Sequence, residues 1–118
     1  MQYLLLIYGN EAQWGKMTEP ERNTVYNEYM QYTKDIAQSG HYKGGNELKD
    51  TSTATTVRVR DKKRLVTDGP FAETKEQLGG YYLVDAKDLD EAIALAARIP
   101  SARWGSIEVR PINPHDMP

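Results

Sequence analysis

The sequence predicts an α+β protein, in which helices cover one face of an antiparallel β-sheet. Strand-like apolar runs occur at residues 2–8, 80–86 and 105–112. Helix start signals at Thr18 and Asp88 fall between these runs, and a hairpin pattern lies in the middle of the chain. Strands and helices in this order are typical of a small two-layer domain.

Length and composition limit the class of protein. With 118 residues the chain is long enough for one domain with its own core. It has no cysteine, which excludes disulfides, thiolate metal sites and cysteine nucleophiles. The net charge is −2, from 15 basic and 17 acidic residues, so binding to nucleic acid or to a membrane is not expected. The apolar amino terminus is too short to span a bilayer and does not resemble a signal peptide, so we expect a cytoplasmic protein.

The first strand, residues 2–8, is apolar on both faces, which is typical of a central strand covered on both sides. A loop with Trp14 follows it. Residues 18–21 then have the form of a capping box with proline in the first turn. The helix that they begin should run to about Ser39 and end at Gly40.

One stripe of this helix is apolar and rich in tyrosine. It consists of Val25, Tyr29, Tyr32 and Ile36 at helical spacing. Such tyrosines could line a polar-tipped pocket. Core packing, with each hydroxyl reaching the surface, is the favoured interpretation.

The middle of the chain predicts a hairpin. A glycine-rich segment with a short strand near residues 46–48 leads into alternating strands at residues 55–60 and 64–67. The basic run at residues 58–64 has no interleaved aromatic residues. That favours a solvated hairpin over a nucleic-acid patch.

The last third repeats the pattern of strand, helix and strand. Asp88 is the expected N-cap of the second helix, which Pro100 ends. Residues 113–118 form a tail. The expected buried stripe of this helix is Leu89, Ala92, Ile93, Ala96 and Ala97.

With right-handed crossovers, this element order is the ferredoxin-like (split βαβ) arrangement with an inserted β-hairpin. Both helices then lie on one face of the sheet. Because the strands at residues 2–8 and 80–86 are apolar on both faces, the uncovered face must pack against something else. We expect a second copy there, and therefore a homodimer formed through the sheet faces.

The densest combination of rigid backbone and ionisable groups is residues 68–80. Pro70 fixes its own φ and disfavours helical geometry at Gly69. Phe71 is the only phenylalanine, and we expect it to anchor the loop by burying its ring. Three charged residues follow within four positions: Glu73, Lys75 and Glu76.

These motifs resemble a known family, the YCII-related proteins of the DGPF type. The likeness is carried by Asp68-Gly69-Pro70-Phe71 and its charged flank, and by the C-terminal segment from Pro100 to the strand at residues 105–112. It covers residues 1–112 as a single domain. The resemblance implies a ferredoxin-like, dimeric α/β-barrel fold in a bacterial cytoplasm. For some relatives a His-Asp pair has been suggested as catalytic, and some are linked to extracytoplasmic-function sigma factors.

This sequence departs from the His-Asp pattern. Its long helix contains no histidine, and Tyr29 occupies the corresponding place. His41 is best interpreted as a residue favoured by the helix dipole, and His115-Asp116 as a pair in the tail.

The candidate site residues follow from the remaining ionisable groups. Two carboxylates close together in a cleft can raise the pKa of one, which then acts as acid while the other acts as base. Lys75 would hold a carboxylate or phosphate. No cofactor and no metal site is predicted, because no ligand spacing or phosphate loop occurs. The expected catalytic residues are Asp68, Glu73 and Glu76, and the expected substrate-binding residues are Tyr29, Phe71, Lys75, Tyr82 and Arg103.

Two functions remain open. The first is a homodimer with a small-molecule pocket at the Asp68–Phe71 motif, one form of which is a cofactor-independent enzyme using carboxylate acid–base chemistry. The second is a non-catalytic dimeric interaction or regulatory module, linked to sigma-factor control, in which the charged residues form structural ion pairs within the loop or across the dimer.

Overall fold

A computed structural model describes residues 1–115. The expected pair His115-Asp116 and the end of the tail therefore lie partly outside the described residues. Short 3₁₀ turns at Thr51–Thr53 and Pro100–Arg103 connect some of the elements. The helices and strands are β1 (Gln2–Gly9), α1 (Glu11–Lys16), α2 (Glu19–Gln38), β2 (Tyr42–Glu47), β3 (Thr55–Arg60), β4 (Lys63–Asp68), β5 (Gln77–Asp85), α3 (Leu89–Ala97) and β6 (Ser106–Pro111).

The main sheet has four strands in the order β2-β5-β1-β6, and each neighbouring pair is antiparallel. The prediction of an α+β fold is confirmed, and the strand order is consistent with the ferredoxin-like arrangement. Strand β1 is central, as its apolar sequence indicates. Alternation along it divides the side chains between the helix-covered face, with Tyr3 and Leu5, and the opposite face, with Leu4 and Leu6.

A bulge interrupts the pairing of β1 with β5. Ile7 pairs with Gly80, but the next residue, Tyr8, pairs with Leu78, so Gly79 is an extra residue on β5. A bulge reverses the face on which the following side chains point. As a result, Gln77 and Gly9 are partners on the helix-covered side.

Helix α2 begins as the sequence predicts. The Thr18 hydroxyl accepts from the Glu21 backbone N–H, and the Glu21 carboxylate accepts from the Thr18 N–H, which completes the capping box. At the other end Gly40 has a φ of +82°, the left-handed conformation typical of a helix C-terminus. Within residues 1–115 no helix is both long and apolar enough to cross a membrane.

The core lies between the sheet and helices α2 and α3. Leu5, Ile36 and Val84 have no exposed surface, and Ile99 is 1% exposed. Tyr32 completes the layer from α2, and its hydroxyl donates to the Leu95 carbonyl at 2.7 Å.

The predicted stripe of α3 is wrong at three positions, because Leu89, Ile93 and Ala97 are exposed. Leu89 and Ile93 are each 49% exposed. The buried residues of this helix are Ala92, Leu95 and Ala96, so the face that meets the sheet is rotated toward Leu95.

Strands β3 and β4 form a separate two-stranded sheet. With residues 69–71 we call them the arm (residues 55–71). Its turn residues Asp61 and Lys62 both have positive φ, as a two-residue hairpin turn requires. Every residue from 57 to 68 is exposed. The radius of gyration is 16.3 Å, whereas a compact domain of this length would have about 13.5 Å.

Candidate functional site

A cavity of about 510 Å³ lies on the helix-covered side of the sheet. Helix α2 forms one wall, strands β1, β5 and β2 form the floor, and helix α1 closes part of the mouth. Cavities of this size accommodate small organic ligands. Helix α2 therefore covers the hydrophobic core at one end of the sheet and this open cavity at the other end.

The deep wall consists of hydroxyl-bearing side chains in two bonded pairs. Tyr29 Oη lies 2.5 Å from Ser101 Oγ, and Thr33 Oγ1 lies 2.6 Å from Tyr82 Oη. The rings of Tyr29 and Tyr82 are nearly parallel, with centroids 6.5 Å apart. Tyr42 packs edge-on against Tyr82 at 6.1 Å. These contacts hold the aromatic wall in place.

The mouth combines aromatic rings with carboxylates. Trp14 of α1 packs edge-on against Tyr26 of α2, with centroids 5.5 Å apart. The Tyr26 hydroxyl donates to the Glu47 carboxylate at 3.0 Å, which connects α2 to the edge strand β2. Asp50 also lines this side of the cavity.

Helix α1 is held over the mouth by three hydrogen bonds. The Glu11 backbone N–H donates to Gln77 Oε1 at 3.0 Å. The Glu11 carboxylate in turn accepts from the backbone N–H and the hydroxyl of Thr51, each at 2.8 Å. The bulge at Gly79 places Gln77 on the side where it can make the first of these bonds.

Two glycines let the floor strands and the Tyr82 ring approach closely. A Cβ on Gly45 would lie 2.9 Å from the Tyr81 carbonyl oxygen and 3.0 Å from the Tyr82 ring. A Cβ on Gly80 would lie 2.9 Å from the Asn46 carbonyl oxygen. Neither position has room for a side chain without movement of the backbone.

Burial keeps the cavity tyrosines protonated. It raises the pKa of Tyr29 and of Tyr82 above the ordinary value for tyrosine. Burial, followed by the hydrogen bond to Glu47, also raises the pKa of Tyr26. At neutral pH these residues are therefore neutral hydrogen-bonding groups and not bases.

Two of the residues predicted to bind substrate, Tyr29 and Tyr82, line the cavity. Arg103 does not line it; its guanidinium bonds to Glu28 at 2.8 Å and to the Pro100 carbonyl. Phe71 is 80% exposed, so the expectation that its buried ring anchors the loop is wrong within one protomer. Lys75 is exposed in the loop between β4 and β5.

The three predicted catalytic residues lie outside the cavity wall. Asp68 ends β4 at the base of the arm, and Glu73 is exposed in the loop that follows. Glu76 Oε1 accepts from the Ser106 hydroxyl at 2.8 Å. Within residues 1–115 no ion pair involves residues 68–76, so the loop is not fixed by salt bridges inside one protomer.

His41 follows α2, as predicted. Its Nε2 lies 3.1 Å from a Glu91 carboxylate oxygen and its Nδ1 lies 2.6 Å from Ser39 Oγ. It thus connects the end of α2 to the start of α3. Residues 1–115 contain no group of three His, Asp or Glu side chains placed to hold a metal ion.

The sequence reasoning did not identify Trp14, Tyr26, Tyr42 or Glu47 as site residues. Two of them carry a usable signal. Asn10 and Glu11 are a capping residue and a first-turn acid, which indicates a short helix that carries Trp14. Tyr26 lies one residue from the buried stripe of α2, at the edge of the face that meets the sheet.

Comparison with known proteins gives two matches. The model of the YCII-related domain matches residues 1–116. An uncharacterised protein of Rhizobium meliloti (strain 1021) is 35% identical over 123 residues, a match that covers 100% of this chain and 99% of the relative.

Proposed function

This chain belongs to the YCII-related family, as its motifs predict, and we propose that it binds a small organic molecule in the cavity beneath α2. The observation that carries the proposal is the cavity of about 510 Å³, whose wall combines aromatic rings with polar and acidic side chains. Concave sites that combine apolar and aromatic surface with placed polar groups are typical of small-molecule binding.

The test is a ligand screen with two independent readouts. Both tryptophans of the chain, Trp14 and Trp104, line the cavity, so intrinsic fluorescence reports on this region. Binding to the folded state also raises the melting temperature. We expect a ligand from a panel of amines, acids, sugars, phosphates and aromatic metabolites to change both signals.

Two variants locate the site. Tyr26→Ala removes a ring from the cavity mouth, where the side chain is already 39% exposed, so the fold should persist. Glu73→Gln changes the loop outside the cavity. Loss of the ligand in Tyr26→Ala but not in Glu73→Gln supports the proposal, whereas the reverse pattern, or a panel without any binder, contradicts it.

We further propose that the protein is a homodimer formed through the open face of the sheet. Leu4 pairs with Leu83 and Leu6 with Tyr81 on the face opposite the helices, and all four are only partly buried in the protomer. Burying such apolar surface is the main driving force for association. Light scattering should give a dimer, and Leu6→Arg should give a folded monomer; a wild-type monomer contradicts this proposal.

Catalysis is a further form of the proposal. It assigns acid–base roles to Asp68, Glu73 and Glu76, without a cofactor. Because these residues lie outside the cavity wall of one protomer, it requires that dimer formation brings them to the ligand of the partner. Each ligand found in the screen should then be followed for chemical change by mass spectrometry. Turnover that is lost in Asp68→Asn, Glu73→Gln or Glu76→Gln, with binding retained, supports catalysis; binding without turnover for every ligand contradicts it.

The exposed arm favours a second function, that of an interaction module of the DGPF type. Val57, Val59 and Phe71 are 57%, 62% and 80% exposed. Exposed apolar side chains on one projecting element are typical of a protein-binding surface. On this proposal Val59→Ser with Phe71→Ser abolishes association with a protein partner such as a sigma factor. The same pair leaves ligand binding in the cavity unchanged.

A further inference from the structure

We propose that the ligand of the cavity is an organic cation, with an ammonium or guanidinium group on an apolar body. This inference rests on the proposed function, because it assigns a ligand class to the same cavity. Three properties of the wall support it: the sign of its charges, the direction of its hydrogen bonds and its aromatic faces.

The charged side chains that line the cavity are carboxylates. They belong to Glu11, Glu47 and Asp50. The ion pairs of residues 1–115 are all made by other acidic residues, so none of the three carboxylates forms an ion pair with a lysine or arginine in this part of the chain. An anionic ligand would meet like charge at the mouth, whereas a cation would be attracted.

The hydrogen bonds of the wall leave acceptors free. Thr33 Oγ1 donates to the Tyr29 carbonyl at 2.8 Å, and a threonine hydroxyl has a single hydrogen. The 2.6 Å bond between Thr33 and Tyr82 must therefore be donated by Tyr82. This leaves the Tyr82 hydroxyl oxygen as an acceptor toward the cavity.

The Tyr26 hydroxyl donates its single hydrogen to Glu47, so its oxygen is also left as an acceptor. Glu47 and Asp50 are themselves acceptors when ionised. At these four oxygen-bearing groups the ligand must supply the donors. Ammonium and guanidinium groups carry donors without acceptors, which matches this pattern.

The aromatic faces provide the third argument. Rings of Trp14, Tyr26, Tyr29, Tyr42 and Tyr82 pack against one another around the cavity. Such faces attract a cation within about 6 Å of a ring centroid. A volume of about 510 Å³ also leaves room for an apolar body next to the charged group.

The experiment compares three probes of matched shape that differ in charge: 2-phenylethylammonium, 2-phenylethanol and 3-phenylpropanoate. Tryptophan fluorescence and calorimetry at low salt give each dissociation constant for the full chain. We expect the cation to bind at least tenfold more tightly than the neutral probe. The anion should bind more weakly than both.

Two carboxylate substitutions make the test specific. Glu47→Gln removes a negative charge from the mouth. It should weaken binding of the cation severalfold and leave the dissociation constant of 2-phenylethanol unchanged. Glu19→Gln removes the same charge outside the cavity and should change neither. Because Glu47 and Glu19 are both exposed, both variants should fold, and circular dichroism checks this.

The outcomes separate this inference from the proposed function. If the anion or the neutral probe binds as tightly as the cation, or if Glu47→Gln leaves cation binding unchanged, the cation assignment is wrong but the cavity is still a ligand site. If no probe and no member of the wider panel binds, the proposed function fails as well. A cation preference that disappears in Glu47→Gln alone supports both.

Discussion

Two regions of this molecule use the same kinds of residue in opposite surroundings. In the four-stranded sheet, Leu5 and Val84 are completely buried beneath α2 and α3. In the arm, Val57, Val59 and Val66 are 57%, 62% and 58% exposed, although they also lie in well-paired antiparallel strands. Alternation of apolar and polar residues therefore specifies the strand in both places, but does not specify what covers it.

The sheet and the arm also differ in what stabilises them. The sheet is stabilised by a shared core, whereas the arm is held mainly by its own ladder and by two bonds at its base. Gly69 N–H donates to the Ala54 carbonyl at 2.7 Å, and the Thr56 hydroxyl donates to the Gly69 carbonyl at 2.8 Å. An isolated two-stranded hairpin is only marginally stable in water. We expect the arm to open without unfolding the sheet.

The largest expected effect is truncation in the core. Leu5→Ala should lower the free energy of unfolding by about 2–5 kcal/mol, because it removes buried methyl groups and leaves a cavity. Val59→Ala in the arm is the matched control and should change it by less than about 0.5 kcal/mol. Chemical denaturation at several protein concentrations measures both. A large, concentration-dependent effect of Val59→Ala would show that a partner covers the arm.

Alkaline pH should act on the sheet and not on the arm. Burial raises the pKa of Tyr32 and Tyr82, and the arm contains no tyrosine. The stabilisation is complete below the unfolded tyrosine pKa of about 10, and it is lost as pH rises from there through the raised folded pKa.

The expected slope is about 1.4 kcal/mol per pH unit for each tyrosine that remains protonated only in the folded state. Unfolding followed between pH 8 and 11.5 measures it. Tyr32→Phe is the control and should have a shallower slope. Equal slopes in the two proteins would contradict the burial argument.

A smaller effect is expected from a close backbone contact at the start of β6. A Cβ on Gly105 would lie 2.2 Å from the Tyr8 carbonyl oxygen, so Gly105→Ala must move the backbone. We expect Gly105→Ala to lower the free energy of unfolding by about 1–3 kcal/mol, the usual range for overpacking. Gly44→Ala in β2, where no atom lies within 4 Å of the added Cβ, should be nearly neutral. Similar melting temperatures for the two variants would refute the contact.

The smallest effects compare two glycines with positive φ. Gly40 ends α2 at +82° and Gly69 lies at the base of the arm at +97°. Alanine at either site is strained by roughly 1–2 kcal/mol. Gly40→Ala should lower global stability, whereas Gly69→Ala should only speed amide exchange in β3 and β4. Faster exchange throughout the sheet in Gly69→Ala would mean that the arm and the sheet unfold together.

Much of the fold could be predicted, because its signals are local. The capping box at Thr18 and the N-cap Asp88 are both present as predicted. Strand β2 begins earlier than expected, at Tyr42, because pairing with β5 overrides the glycine-rich sequence. Helix α1 was missed because Gly15 weakens its pattern, and because its support comes from Gln77, far away in the sequence. The orientation of α3 depends on the shape of the sheet and is not encoded in its own periodicity.

The site was harder to predict than the fold. Tyr29 and Tyr82 were identified because they lie on strongly patterned elements. Glu47 and Asp50 lie in and just after a segment that reads as a turn-prone region, and nothing local indicates that they lie across from Tyr26. The Asp68–Phe71 motif is predicted to be a site because it combines a rigid backbone with a charged flank. Its proposed role depends on a partner, which a single chain does not indicate.

The bulge at Gly79 has a consequence for insertions and deletions. Deleting this one residue would let β5 pair with β1 without interruption, and Leu78 and Gln77 would keep their partners, Tyr8 and Gly9, and their faces. A one-residue insertion between Gln77 and Leu78 would instead place the new residue opposite Gly9 and turn Gln77 away from the helices, so the Glu11 backbone N–H would lose its acceptor. The sheet would keep its four strands, but α1 would be detached from the cavity mouth. A homologue with that insertion should therefore share the fold and have a differently closed cavity, whereas one that lacks Gly79 should keep α1 in place.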